Sequence, residues 1–169
     1  MSASRRLRQR GQAVLYAVVL SPVLLLCLTL AVELGALQLE KQRLRSAVDE
    51  ATTVAASRDA AGNATLTLDT SRTADLVRQS LADNLAPLES HLDGVTAAQL
   101  ANAADVAVVD HVPATDPFDS SRTLQRPTIE ARVRAPVRAG LLGLAGLPST
   151  VTFTITSSAD LRVVGGTQT

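Results

Sequence analysis

GQAVLYAVVLSPVLLLCLTLAV, residues 11–32, contains no charged side chain. A helix rises about 1.5 Å per residue, so about 20 residues cover the roughly 30 Å hydrocarbon core of a bilayer, and this run meets that length. Its interior polar groups are mild. Gln12, Ser21 and Thr29 can return hydrogen bonds to backbone carbonyls, while Pro22 removes one ladder donor and is expected to kink the helix. Arg5, Arg6, Arg8 and Arg10 precede the run, whereas its far end opens on Glu33 and meets its first basic residue only at Lys41. The positive-inside rule then puts the N-terminus in the cytoplasm. A cleaved signal peptide shares the basic start, but its apolar core is only about 7 to 15 residues long and ends at a small-x-small site. Here the run is longer and passes into Glu33-Leu34-Gly35-Ala36 with no turn until Gly62, which favours an anchor whose helix continues.

Outward from the anchor, the expected division is a basic cytoplasmic tail (1–10), a transmembrane helix (11–32), a helical stalk (33–57), an extracytoplasmic α+β domain (62–165) and a short tail (166–169). All sixteen acidic residues follow Gly11 and four of the sixteen basic residues precede it, so the exported part is mildly acidic. That charge speaks against nucleic acid as a partner, which would need clustered Lys and Arg on a positive domain. Cys27 is the only cysteine and lies inside the span, which leaves no intramolecular disulfide. Two Phe, one Tyr and no Trp make any core aliphatic.

In the stalk, Leu34, Leu37, Leu44, Val48, Ala51 and Ala55 recur at helical spacing, interrupted by Lys41. Glu40, Gln42, Arg43, Arg45, Asp49 and Glu50 lie between them, with Arg45 and Asp49 four apart and able to pair weakly. The stalk has two readings, a solvated helix face or a surface on which partner helices pack, with the alanines from Ala47 to Ala56 allowing close approach. Past a turn at Gly62 and Asn63, ATLTLD (64–69) alternates as a strand. A second helix is expected, capped by Ser71 or Thr73, with Leu76, Val77, Leu81 and Leu85 at helical spacing before Pro87. Residues 95–104 fit one helical turn or two, and 105–112 a strand closed by Pro113. A proline-rich surface loop (113–127) leads to the half-buried strand TIEARVRAPV (128–137), with Glu130, Arg132 and Arg134 on its charged outer face. A glycine-rich apolar loop (139–148) and one long or two short strands (150–164) complete an α+β, pilin-like outline with about four antiparallel strands.

Nothing in the sequence calls for catalysis. His91 beside Asp93, and Asp110 beside His111, are the only histidine and carboxylate neighbours, and no third ligand, nucleophile or base joins them. Gly140-x-x-Gly143-x-x-Gly146 lacks the Lys-Ser/Thr of a phosphate-binding loop and reads as an apolar turn. No enzyme activity, cofactor, metal or small-molecule substrate is therefore expected; the expected partners are the lipid bilayer and other subunits of an assembly.

Gly11-Gln12-Ala13, Ala17-Val18-Val19-Leu20, Pro22, the exit Val32-Glu33-Leu34-Gly35 and the run Arg43-Leu44-Arg45-Ser46-Ala47-Val48-Asp49-Glu50-Ala51 resemble the N-terminal signature of TadE- and TadG-like proteins. These are pseudopilin-like accessory proteins of tight-adherence (Flp) pilus machines. The closing stretch, with Ser158-Ala159-Asp160-Leu161-Arg162, resembles the ends of such proteins more loosely. The resemblance implies a membrane-anchored minor pilin or accessory assembly component in a bacterial cell envelope. It also implies prepilin-type processing between Gly11 and Gln12, and a glutamate five residues beyond Gly11 that aids polymerisation; Tyr16 stands there instead. On this reading Pro22, Glu33, Leu44, Val48, Ala51 and Ala55 form the packing and assembly helix. The alternative is a single-span protein whose exported domain binds an envelope ligand or polymer.

Overall fold

The computed structural model describes residues 3–62 and 69–161. The strand expected at 64–69 falls on residues 64–68 outside that range, as do the turn at Asn63 and the tail 166–169. Helix α1 covers Ala3–Gly62 without a break at Pro22, five residues further than the stalk was expected to run. The chain divides into two compact units, residues 1–39 with 139–149, and 40–138 with 150–169.

In the second unit, α2 (Thr70–Leu85) follows α1. Its cap is Asp69 rather than Ser71 or Thr73: the Asp69 carboxylate accepts hydrogen bonds from the Ser71 and Arg72 backbone N–H groups at 3.2 and 3.1 Å. Those bonds satisfy donors that a helix start leaves open. The Arg72 N–H and the Ser71 hydroxyl hold this carboxyl below its ordinary value. Thr73, Val77, Ser80, Leu81 and Leu85 form the buried stripe of α2, and a 3₁₀ turn, Ala86–His91, carries Pro87 at its start. Residues 95–104 resolve into a single short helix, α3 (Ala97–Asn102), fixed by a capping box between Thr96 and Gln99.

Strands β1 (Asp105–Val109), β4 (Thr128–Arg138) and β5 (Thr150–Asp160) form an antiparallel sheet in the order β1-β4-β5. Between β1 and β4, the two-residue strands β2 (Ala114–Thr115) and β3 (Thr123–Leu124) pair with each other. The region after 150 forms one long strand. Alternation assigns the faces: Ile129, Ala131, Val133, Ala135 and Val137 of β4 are buried, and opposite them on β5 stand Ala159, Ser157, Ile155, Phe153 and Val151. Helix α2 packs over β1, while α1 reaches β5 through Thr52, whose Oγ1 lies 3.1 Å from Ser157 Oγ. The helices also touch each other where Asn84 Nδ2 donates to Ala47 O at 3.2 Å. A three-stranded sheet with one apolar face needs such a cover to hold its core.

Candidate membrane-spanning and assembly helix

In the first unit, α1 presents apolar side chains that the fold leaves uncovered: Val18, Leu24, Leu25, Leu28 and Val32 are each more than half exposed. Among the described residues it is the one helix long and apolar enough to cross a membrane, and only 6% of its most apolar window is buried. A core helix of a soluble protein of this hydropathy would be mostly covered. Thr29 returns its hydroxyl to Leu25 O at 2.8 Å, the self-satisfaction that a bilayer interior requires. Tyr16 and Cys27 are exposed on this segment, and Pro22 lies within it. Gly11 and Gln12 belong to α1. Glu33, at the end of the apolar run, is 8% exposed and accepts a hydrogen bond from Leu141 N at 3.2 Å.

In the second unit, Glu40, Leu44, Ala47, Val48, Ala51, Thr52, Ala55 and Ala56 of α1 are buried, while Lys41, Gln42, Arg45, Asp49 and Glu50 face solvent. The structure thus brings Leu44, Val48, Ala51 and Ala55 together on one face, and α2 and the sheet of the same chain cover that face. Leu34 stands off this face at 57% exposure. Glu40 lies on the face because it has partners: Arg43 Nη1 at 2.9 Å and His91 Nδ1 at 3.5 Å. Arg45 and Asp49 approach to 3.8 Å on the exposed side, a pair of little energetic weight.

Glu130 corrects the sequence reading. Placed by alternation on a charged, solvated outer face, it is only 1% exposed, because the loop between β2 and β3 folds over it. Asp116 anchors that loop by accepting from the Phe118 and Asp119 N–H groups at 2.7 and 2.9 Å. Arg132 reaches back from β4, donating to Phe118 O at 3.0 Å with its guanidinium 4.2 Å from the Phe118 ring centre. Together with Asp119, Arg122, Thr156, Ser157 and Ser158 these groups line a cleft of about 310 Å³. Burial, then the hydrogen bond to Asp116 and its charge, push the Glu130 carboxyl up to about 7. Burial also works to raise Asp116, but its hydrogen bonds from Phe118, Glu130 and Asp119, with Arg122 nearby, outweigh it and hold this carboxyl below its ordinary value. Of the two carboxyls, Glu130 is therefore the one that holds a proton more readily, and Asp116 the one that stays ionised. A sequence signal existed in Asp116-Pro117-Phe118-Asp119-Ser120-Ser121, whose aspartates favour turns, but not in Glu130 itself.

His91 sits beside Glu40, and His111 is exposed beside Asp110 at 3.4 Å, so the fold does not bring the two histidines' neighbourhoods into one site. Among the described residues no three His, Cys, Asp or Glu side chains are placed to hold a metal ion.

No curated protein and no solved structure matches the chain. A family match exists over the part of the chain that carries the exposed apolar helix and the start of the buried face. Residues 11–58 are similar to the family described as putative Flp pilus-assembly TadE/G-like, the same relationship that the residues of α1 suggest.

Proposed function

We propose that this chain is a membrane-anchored minor pilin or accessory assembly component of a tight-adherence (Flp) type pilus or a related secretion apparatus. Its N-terminus is cytoplasmic and its domain from residue 62 onward extracytoplasmic. One observation carries the reading: the match to a pilus-assembly family over residues 11–58 coincides with a helix whose apolar surface the fold leaves uncovered. In this account the membrane-spanning part of α1 meets lipid and the helices of partner subunits, while Leu44, Val48, Ala51 and Ala55 fasten the exported domain to its own stalk.

The same chemistry argues for few copies. Processing at Gly11 would leave a free amine at Gln12 at the membrane boundary, and a buried unpaired charge costs several kcal/mol. The Tyr16 hydroxyl accepts a hydrogen bond but cannot cancel that charge. An initiator, tip or assembly component retained in the membrane avoids the cost that a repeating fibre subunit would meet. Alkaline phosphatase fused after Gly62 tests the orientation: it is expected to be active in a bacterial host, and an inactive fusion that still reaches the membrane would refute the reading.

A further inference from the structure

Residues 139–149, AGLLGLAGLPS, contain four leucines and no charge, and they form the connection between β4 and β5. The loop closes on itself. Ala139 N–H donates to Ser149 O at 2.7 Å and Leu147 N–H to Leu142 O at 3.0 Å. Gly146, at φ 73°, takes the left-handed conformation that reverses the chain after the turn Leu142–Ala145. Leu142 is buried, but Leu141 is only half-buried and Leu147 is 49% exposed.

The loop belongs to the same compact unit as the first part of α1, and one hydrogen bond fixes its level along that helix. Leu141 N–H donates to Glu33 Oε1 at 3.2 Å, and Glu33 is the first charged residue after the apolar run ending at Val32. A carboxylate at the edge of hydrocarbon is costly unless hydrogen-bonded, and the loop backbone supplies a bond. The loop thus lies at the level where α1 leaves the apolar zone, and Leu147 stays uncovered there as Val32 and Leu34 do.

We propose that this loop is a membrane foot: Leu141 and Leu147 enter the headgroup–acyl boundary of the bilayer that α1 crosses, and Glu33 holds the loop at that depth. Lipid is the occupant because the surface is continuous with the span and carries no charge. Burial of apolar side chains at that boundary is the ordinary driving force for interfacial segments. The proposal rests on α1 being the membrane span.

The chain has no Trp, so single tryptophans report cleanly. Leu147→Trp, Leu26→Trp in the span and Thr154→Trp on the exposed face of β5 are compared in the full-length protein, reconstituted in phosphatidylcholine vesicles with and without brominated acyl chains. Leu26→Trp and Leu147→Trp are expected to lose emission in brominated vesicles, Leu147→Trp most when bromine lies near the carbonyl end of the chain, while Thr154→Trp keeps its emission. Adding Glu33→Ala should relieve quenching at Leu147→Trp and leave Leu26→Trp quenched; persistent quenching at Leu147→Trp would overturn the role given to Glu33. If Leu26→Trp is quenched and Leu147→Trp is not, the foot is refuted and the span stands. If neither is quenched, both fall. A blue-shifted but unquenched Leu147→Trp would mean that protein, not lipid, covers the loop, and would equally overturn the proposal.

Discussion

Replacing Leu44 with alanine tests whether the domain that follows α1 is fastened to it through that helix's buried face. Leu44 is 2% exposed and lies about one turn from two of the points where α1 is touched, Glu40 by His91 and Ala47 by Asn84. Truncating a buried leucine removes its transfer free energy and leaves a cavity, a cost of about 2–5 kcal/mol. At about 3 kcal/mol, a domain of this size should lose about 10–15 °C in Tm. Val48→Asp should be worse, since Val48 is fully buried and an aspartate there would bring an unpaired charge; most of the folded signal should be gone at room temperature. Leu39→Ala is the matched control: it removes the same atoms from a 47% exposed site on the same helix and should cost no more than about 0.5 kcal/mol. Scanning calorimetry of the full-length protein in detergent micelles measures all three. If Leu44→Ala melts within about 2 °C of the parent chain, as Leu39→Ala should, the stalk is free of the domain and the reasoning fails.

The Glu130 carboxyl, raised from 4.5 to about 7, gives the folded chain an extra bound proton between those values, so this contribution is fully present below pH 4.5 and is lost as pH rises towards 7. Tm should therefore fall with rising pH across that window, and Glu130→Gln, whose amide can donate to Asp116 at any pH, should flatten the slope; an unchanged slope would assign it elsewhere. Asp69→Ala removes the cap of α2 and should lower Tm by a few degrees, whereas Ser71→Ala and Thr73→Ala, which retain the Asp69 bonds to the backbone, would not reproduce that loss through capping. Arg45→Ala should leave Tm within about 2 °C of the parent value, because its ion pair with Asp49 is exposed on both sides; a larger loss in the same calorimetry would contradict that placement.

Helical periodicity in the stalk revealed Leu44, Val48, Ala51 and Ala55 because a face covered by a sheet must be apolar at steps of three and four. The same periodicity misplaced Leu34, since Glu33 and Glu40 take the buried positions near it, each held by a hydrogen-bond or ion-pair partner that sequence spacing cannot supply. Alternation likewise found both faces of β4 but could not show that the outer one is roofed at Glu130, which depends on a loop ten or more residues away. Asp69 was read as the end of a strand because a cap is defined by where the helix begins, the boundary that propensity fixes least well. The membrane-spanning run needed no tertiary information, because its signal is length without charge.

Mass spectrometry of the native protein's N-terminus, paired with quantitation of the chain in sheared pili and in the membrane fraction, decides whether this chain is a few-copy component retained in the membrane. An intact N-terminus, with the protein confined to the membrane and scarce in sheared pili, is the predicted result; a mature chain beginning at Gln12 and abundant along the fibre would contradict it.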